Sequence, residues 1–172
     1  DSSGGLVWAK GVGGTGADQG RSVAVDSSGN VYVTGQFEGT VDFDPDGGVT
    51  NLTSVGSEDI FIAKYDSSGG LVWAKGVGGT GADHGKSVTV DSSGNSYVTG
   101  VFSGTVDFDP DGGVTNLTSV GGQDVFIAKY DSSGALVWAK GVGGTSADSG
   151  FSIQVDSSGN VYVTGQFEGT VD

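Results

Sequence analysis

Cysteine and methionine are absent from this chain, proline occurs twice, histidine once, and 7 lysines and arginines stand against 21 acids. Each shortage excludes something. Without cysteine there is no disulfide and no thiolate metal site, so the usual chemical mark of a secreted protein is missing, with no argument for the cytosol. The net charge of −14 disfavours nucleic acid or an anionic membrane as partner, because both are met by basic surfaces; cations are more natural company. No apolar run approaches the ~20 residues that span a bilayer, and the opening residues do not read as a signal peptide. No segment spaces its apolar side chains at a helical period. One histidine, with serines concentrated in turns, assembles no nucleophile with its base, so no enzymatic activity is expected.

What the chain does have is repetition. The words that begin at Asp1 begin again at Asp66 and at Asp131, and residues 1–65 match residues 66–130 at 56 of 65 positions. The organisation is a single array over 1–172: repeat 1 over 1–65, repeat 2 over 66–130, and a partial repeat 3 over 131–172. Such periodicity marks stacked units whose apolar faces are buried only by their neighbours. A chain opening and closing mid-repeat is expected to be a processed piece or an excerpt of a longer polymer.

Thirty-five glycines among many Ser, Thr, Val and Asp residues suit short strands joined by turns. In the middle copy, Ser87–Asp91 and Asn95–Gly100 flank an Asp-Ser-Ser-Gly turn, where Gly94 or Asn95 takes positive φ, and form a tight hairpin. Asp124–Tyr130 and Leu136–Lys140 form a second. Val125 and Ile127 point to one face of their strand, Phe126, Ala128 and Tyr130 to the other, so the sheet is apolar front and back and belongs between other sheets. The expected fold is all-β: four-stranded antiparallel blades of a β-propeller-like array, about 65 residues per blade.

The words Ser-Val-Ala-Val-Asp-Ser-Ser-Gly-Asn-Val-Tyr-Val-Thr-Gly (22–35), Gly-Thr-Val-Asp-Phe-Asp-Pro (39–45), Asp-Ile-Phe-Ile-Ala-Lys-Tyr-Asp (59–66) and Leu-Val-Trp-Ala-Lys (71–75) resemble the bacterial SBBP repeat family. That resemblance implies propeller blades in extracellular or cell-surface bacterial proteins. Propellers close with four to eight blades, and fewer than three are present. The array is therefore expected to be completed by other copies of itself or to stack as an open superhelix or filament. The C-terminal piece supplies two strands (Phe151–Val155, Val161–Gln166) and the N-terminal piece a fourth (Leu6–Lys10), with the third missing and an edge left open.

An insertion, Gly39–Glu58 and Gly104–Gln123, separates the second and third strands. Asp42, Asp44 and Asp46 before Gly47, and Asp107, Asp109 and Asp111 before Gly112, spell D-x-D-x-D-G, the opening half of a calcium loop. They are the candidate Ca2+ ligands. Thr53 or Thr118 stands where a bidentate Glu would complete an EF-hand, and Asp-Pro-Asp-Gly is also a good type I turn, which is the stronger reading. Gly11–Gly16 and Gly76–Gly81 match G-x-G-x-x-G, yet no crossover helix fits before the next strand; a connection between blades is expected. His84 reads as a solvated loop residue, and Trp8, Trp73, Trp138, Tyr65 and Tyr130 as core between blades. Positions that differ between copies, such as 19/84/149 and 58/123, are expected to be exposed. The leading functional reading is a structural module that self-assembles through blade packing into a multi-chain ring or filament. The alternative is a binding module presenting loops to a glycan or protein, with calcium stiffening the insertion.

Overall fold

A computed structural model describes residues 2–171, and among them every regular element is a strand. The first sheet is a meander of β1 (Gln19–Val25), β2 (Val31–Phe37), β5 (Asp59–Tyr65) and β6 (Leu71–Val77), hydrogen-bonded in that order. Between β2 and β5 the chain makes a separate hairpin, β3 (Thr40–Asp42) with β4 (Asn51–Thr53). The second sheet repeats this with β7 (His84–Val90), β8 (Ser96–Phe102), β11 (Asp124–Tyr130) and β12 (Leu136–Val142), and with the hairpin β9 (Thr105–Asp107) and β10 (Asn116–Thr118). A third, two-stranded sheet holds β13 (Ser149–Val155) and β14 (Val161–Gln166). Each four-stranded sheet thus crosses a boundary of the sequence repeat.

Local chemistry makes the hairpins. In the Asp-Ser-Ser-Gly turns that begin at Asp26, Asp66, Asp91, Asp131 and Asp156 the Asp carboxylate accepts two backbone amides, as Asp91 does from Ser93 at 2.9 Å and Asn95 at 3.0 Å. The positive φ falls on the glycine, +78° at Gly94, and not on the asparagine after it. At the start of β1, β7 and β13 the register slips after a glycine that faces another glycine across the ladder, Gly85 against Gly100 in the middle sheet. A Cβ on Gly100 would stand 1.9 Å from the His84 carbonyl oxygen, so only glycine fits this bulge.

The sheets stack face to face, and each sheet sets its first strand over the first two strands of the sheet before it, β7 over β1 and β2 and β13 over β7 and β8. Every residue of β8 is buried, because its sheet is covered on both sides. In β14, by contrast, five of six residues are exposed. The described sheets do not close into a ring. Leu6–Lys10 forms no strand, contrary to expectation; among the described residues no third strand lies beside it.

Candidate functional site

The most developed surface is the seam between sheets, made twice by the same residues. Tyr32, Ile60 and Ile62 of the first sheet share one buried cluster with Val88, Val98, Phe126 and Ala128 of the second. Backbone polar groups are met across the seam: the Val88 amide donates to Ser22 Oγ at 3.1 Å, and the Tyr32 hydroxyl to the Gly94 carbonyl at 3.1 Å. At the next seam Ile153 N–H donates to Ser87 Oγ at 3.2 Å. Glycine sets the spacing, since a Cβ on Gly85 would lie 2.2 Å from Thr34 Oγ1, and one on Gly150 2.4 Å from Thr99 Oγ1. This role of Gly85 and Gly150 is invisible in a single repeat, because the threonine each one approaches lies in the preceding sheet.

The aromatic side chains sit nearer the rim than expected for the tryptophans. Trp73 and Trp138 are half-buried, edge-on to Tyr32 and Tyr97 with centroids 6.2 and 6.3 Å apart. Trp73 Nε1 donates to the Ser132 carbonyl in the next sheet, 3.1 Å away, and Trp8 makes the same bond to Ser67. So Trp8 and Lys10 take the places, relative to the first sheet, that Trp73 and Lys75 take relative to the second. Tyr65 and Tyr130 are buried and donate to the Phe43 and Phe108 carbonyls at 3.2 Å, tying each insertion to its sheet. Burial pushes the Tyr65 phenol up to about 12. Val41 and Phe43 anchor that insertion in the core, a role signalled by the alternation Val41-Asp42-Phe43-Asp44.

The candidate calcium ligands are engaged in turn-making. Asp42 Oδ1 accepts the amides of Thr50 at 2.8 Å and Asp44 at 3.0 Å, and these bonds hold its carboxyl below the usual range. Asp44 Oδ1 accepts the Asp46 amide at 2.9 Å, and Asp46 pairs with Lys10. Asp107, Asp109 and Asp111 repeat the pattern, with Lys75 against Asp111. Among the described residues no three acidic or histidine side chains form a group that could hold a metal ion. The third aspartate of each loop instead ties the insertion to the lysine of the preceding unit. The glycine-rich connectors likewise wrap a carboxylate of the chain itself: Asp83 accepts the Gly79 and Ser103 amides, both at 2.8 Å.

A titratable cluster lies at the first seam. His84 opens β7 and is not a solvated loop residue; its Nε2 is 3.0 Å from Glu58 Oε2, while Glu58 Oε1 accepts the Gln36 amide at 3.0 Å. The Gln36 bond is the main cause that lowers the Glu58 pKa. At the second seam Gln123 and Ser149 stand at the Glu58 and His84 positions, and Gln123 Nε2 donates to the Ala82 carbonyl. Positions that differ between copies therefore meet one another at the seams. Beside them Asp59 is 3 % exposed; Oδ2 accepts the Val55 amide at 2.8 Å and Oδ1 has no partner. Burial, with the Asp83 charge adding to it, pushes Asp59 up to about 6, and burial also raises Asp83.

Comparison with known proteins meets this geometry. The β-propeller repeat family SBBP matches the chain over residues 7–36, 72–101 and 137–166, just over half its length. An uncharacterized WD repeat-containing protein, L264, of Acanthamoeba polyphaga mimivirus is 29% identical over 188 residues, covering 95% of this chain and 14% of that protein. The regulatory protein FlaEY of Caulobacter vibrioides is 32% identical over 117 residues, covering 66% of this chain and 12% of that protein. The chain thus spans about an eighth of the length of these relatives. Each matched segment runs from the Leu-Val-Trp-Ala-Lys words, which form strands β6 and β12 in the second and third segments, through the glycine connector into the first hairpin of the sheet that follows, which is the part of the repeat that builds the seam, and the chain belongs to the SBBP β-propeller repeat family.

Proposed function

We propose that this chain is a non-catalytic structural module of an extracellular or cell-surface bacterial protein, and that it associates with copies of itself by making again, between chains, the seam it makes twice within itself. One observation carries the reading. Val23 is 63 % exposed, whereas Val88 and Ile153, at the same place in the next two sheets, are 4 % and 0 % exposed. The face of the first sheet has the composition of a buried seam and, among the described residues, no sheet over it. A cavity of about 250 Å³ opens there, lined by Trp8, Val12, Val33, Phe37, Phe61 and Tyr65. Covering Val23 and Val25 would contribute on the order of 3 kcal/mol, at about 1.5 kcal/mol or more per buried valine.

Sedimentation over a range of concentration tests this. The expected result is reversible association that strengthens with salt, because copies of net charge −14 repel. Val23→Lys should abolish association and leave the circular dichroism and melting temperature unchanged, since the side chain is exposed in the single chain. A monomer at all concentrations and salts would refute the reading. Placement outside the cell rests on the family resemblance and is tested by fractionating the bacteria that make the protein.

A second reading has its own support. The insertion loops carry Val49, Val55, Val114 and Val120 more than half exposed, in two matching sets, and a glycan or protein bound by these loops would cover them. Val49→Ser with Val114→Ser should then remove ligand retention on a glycan array without altering sedimentation.

A further inference from the structure

We infer that the β-bulges of β1 and β7 form a binding site for a small oxyanion, a phosphate, sulfate or carboxylate group, held between Arg21 and Lys86. Each bulge at the start of β1, β7 and β13 leaves one residue without a partner across the ladder, and those residues are Arg21, Lys86 and Phe151. A bulge takes such a side chain out of the regular alternation of the strand and re-aims it. Glycine fixes the backbone here in every copy. A Cβ on Gly35, Gly100 or Gly165 would lie 1.8, 1.9 or 2.0 Å from the carbonyl oxygen of Gln19, His84 or Ser149. What changes between otherwise near-identical units is the side chain that the bulge presents. Arg21, Gln36 and Lys86 all belong to the two complete sheets.

The charge balance singles these two cations out. The chain carries 21 acids against 7 lysines and arginines, yet among the described residues neither Arg21 nor Lys86 makes an ion pair. Lys10 and Lys75 pair with Asp46 and Asp111, while Lys64 and Lys129 lie over the Tyr32 and Tyr97 rings. Arg21 and Lys86 are set near each other instead, because β7 packs against β1. Burial, and then the Arg21 charge, hold Lys86 below its usual value. Like charges brought together among so many carboxylates favour an anion between them. Glu58 does not fill that role, since Oε1 accepts the Gln36 amide and Oε2 meets His84, both at 3.0 Å. It orients the site through Gln36, whose Oε1 accepts Arg21 Nε–H. That bond fixes the guanidinium and leaves its terminal nitrogens for a ligand. Lys86 Nζ donates to Ser149 Oγ at 3.2 Å and lies 5.0 Å from the centroid of the Phe151 ring, which places the ammonium with N–H groups to spare. An oxyanion between them accepts two N–H groups from the guanidinium fork and one from the ammonium.

The test uses the intact chain and sodium phosphate, sulfate and acetate, each titrated at constant ionic strength against chloride and read by amide chemical shifts. We expect saturable shifts centred on residues 20–22 and 85–87, with the tightest of the three salts naming the oxyanion. Arg21→Gln should weaken binding at least roughly tenfold, the loss of about 1.4 kcal/mol. Arg21→Lys keeps the charge and removes the fork, and it too should bind more weakly than the wild type. Arg21 is exposed, so both variants should hold the melting temperature. Shifts that never saturate, or that survive Arg21→Gln, overturn the inference. Equal binding by Arg21→Lys also overturns it, because a diffuse positive patch does not tell the two side chains apart.

Discussion

Asp59 gives the sharpest quantitative test of how the seam is held. Its carboxylate is buried, with one oxygen on the Val55 amide, the other unpartnered, and the Asp83 charge nearby. A folded-state pKa of about 6 against an ordinary 3.8 means that folding favours the protonated acid. That contribution is fully present below pH 3.8 and is lost as pH rises through 6. At 1.36 kcal/mol per unit, the shift of about two units makes the loss about 3 kcal/mol. Asp59→Asn removes the titration and keeps the shape. Urea denaturation followed by tryptophan fluorescence from pH 3.5 to 7 should show the wild type losing about 3 kcal/mol relative to the variant across that window. Most other carboxylates cancel in the difference. Asp83 does not, because it is coupled to Asp59, so the measured change belongs to the pair. Parallel stability profiles for the two proteins would show that Asp59 is hydrated at the seam and would refute the account.

Two further perturbations separate seam from surface. Gly85→Ala should cost roughly 1–3 kcal/mol by forcing a Cβ against Thr34 across the first seam. Gly20→Ala, whose Cβ would meet only Val33 at 3.7 Å, should cost much less; equal losses in thermal melting would mean that the spacing is not set by glycine. For the insertion loops, a chelator should leave the melting temperature unchanged, because one oxygen of Asp42 and one of Asp44 are already bonded to backbone amides and Asp46 to Lys10. A rise in melting temperature with added calcium would return Asp42, Asp44 and Asp46 to the role of ligands.

The strands were legible because their signals are local. Asp-Ser-Ser-Gly fixes the hairpins through its own carboxylate, and the two-faced apolar pattern of Val125 to Tyr130 shows before any coordinates that the sheet is covered on both sides. Gly-Val-Gly-Gly-Thr-Gly at 11–16 and 76–81 was legible as a connector for want of room for a helix. What escaped reading depends on neighbours. His84 looks like a loop residue because its partner, Glu58, is 26 positions away in the preceding sheet. The differences at 58/123 and 84/149 look like surface drift until the seam sets them against each other. Leu6–Lys10 carries every residue of a fourth strand, but a strand is defined by its partner, and the sequence of the segment cannot supply one.

The two ends of the stack are different surfaces, and this constrains how copies could meet. The first sheet offers Val23, Val33 and Phe61 around an open cavity; the last offers Tyr162 and the free edge of β14. A two-fold dimer would set one end against a copy of itself, whereas the internal seam sets one kind of face against the other. The internal seam pairs the Tyr32 face with the Val88 face, so association that repeats it runs head to tail, with the Tyr162 face of one copy on the Val23 face of the next. Because β7 packs over β1 and β2, and β13 over β7 and β8, each added sheet is offset in the same sense. The sheets then diverge toward β6 and β12, and the outcome, ring or superhelix, is fixed by that wedge angle.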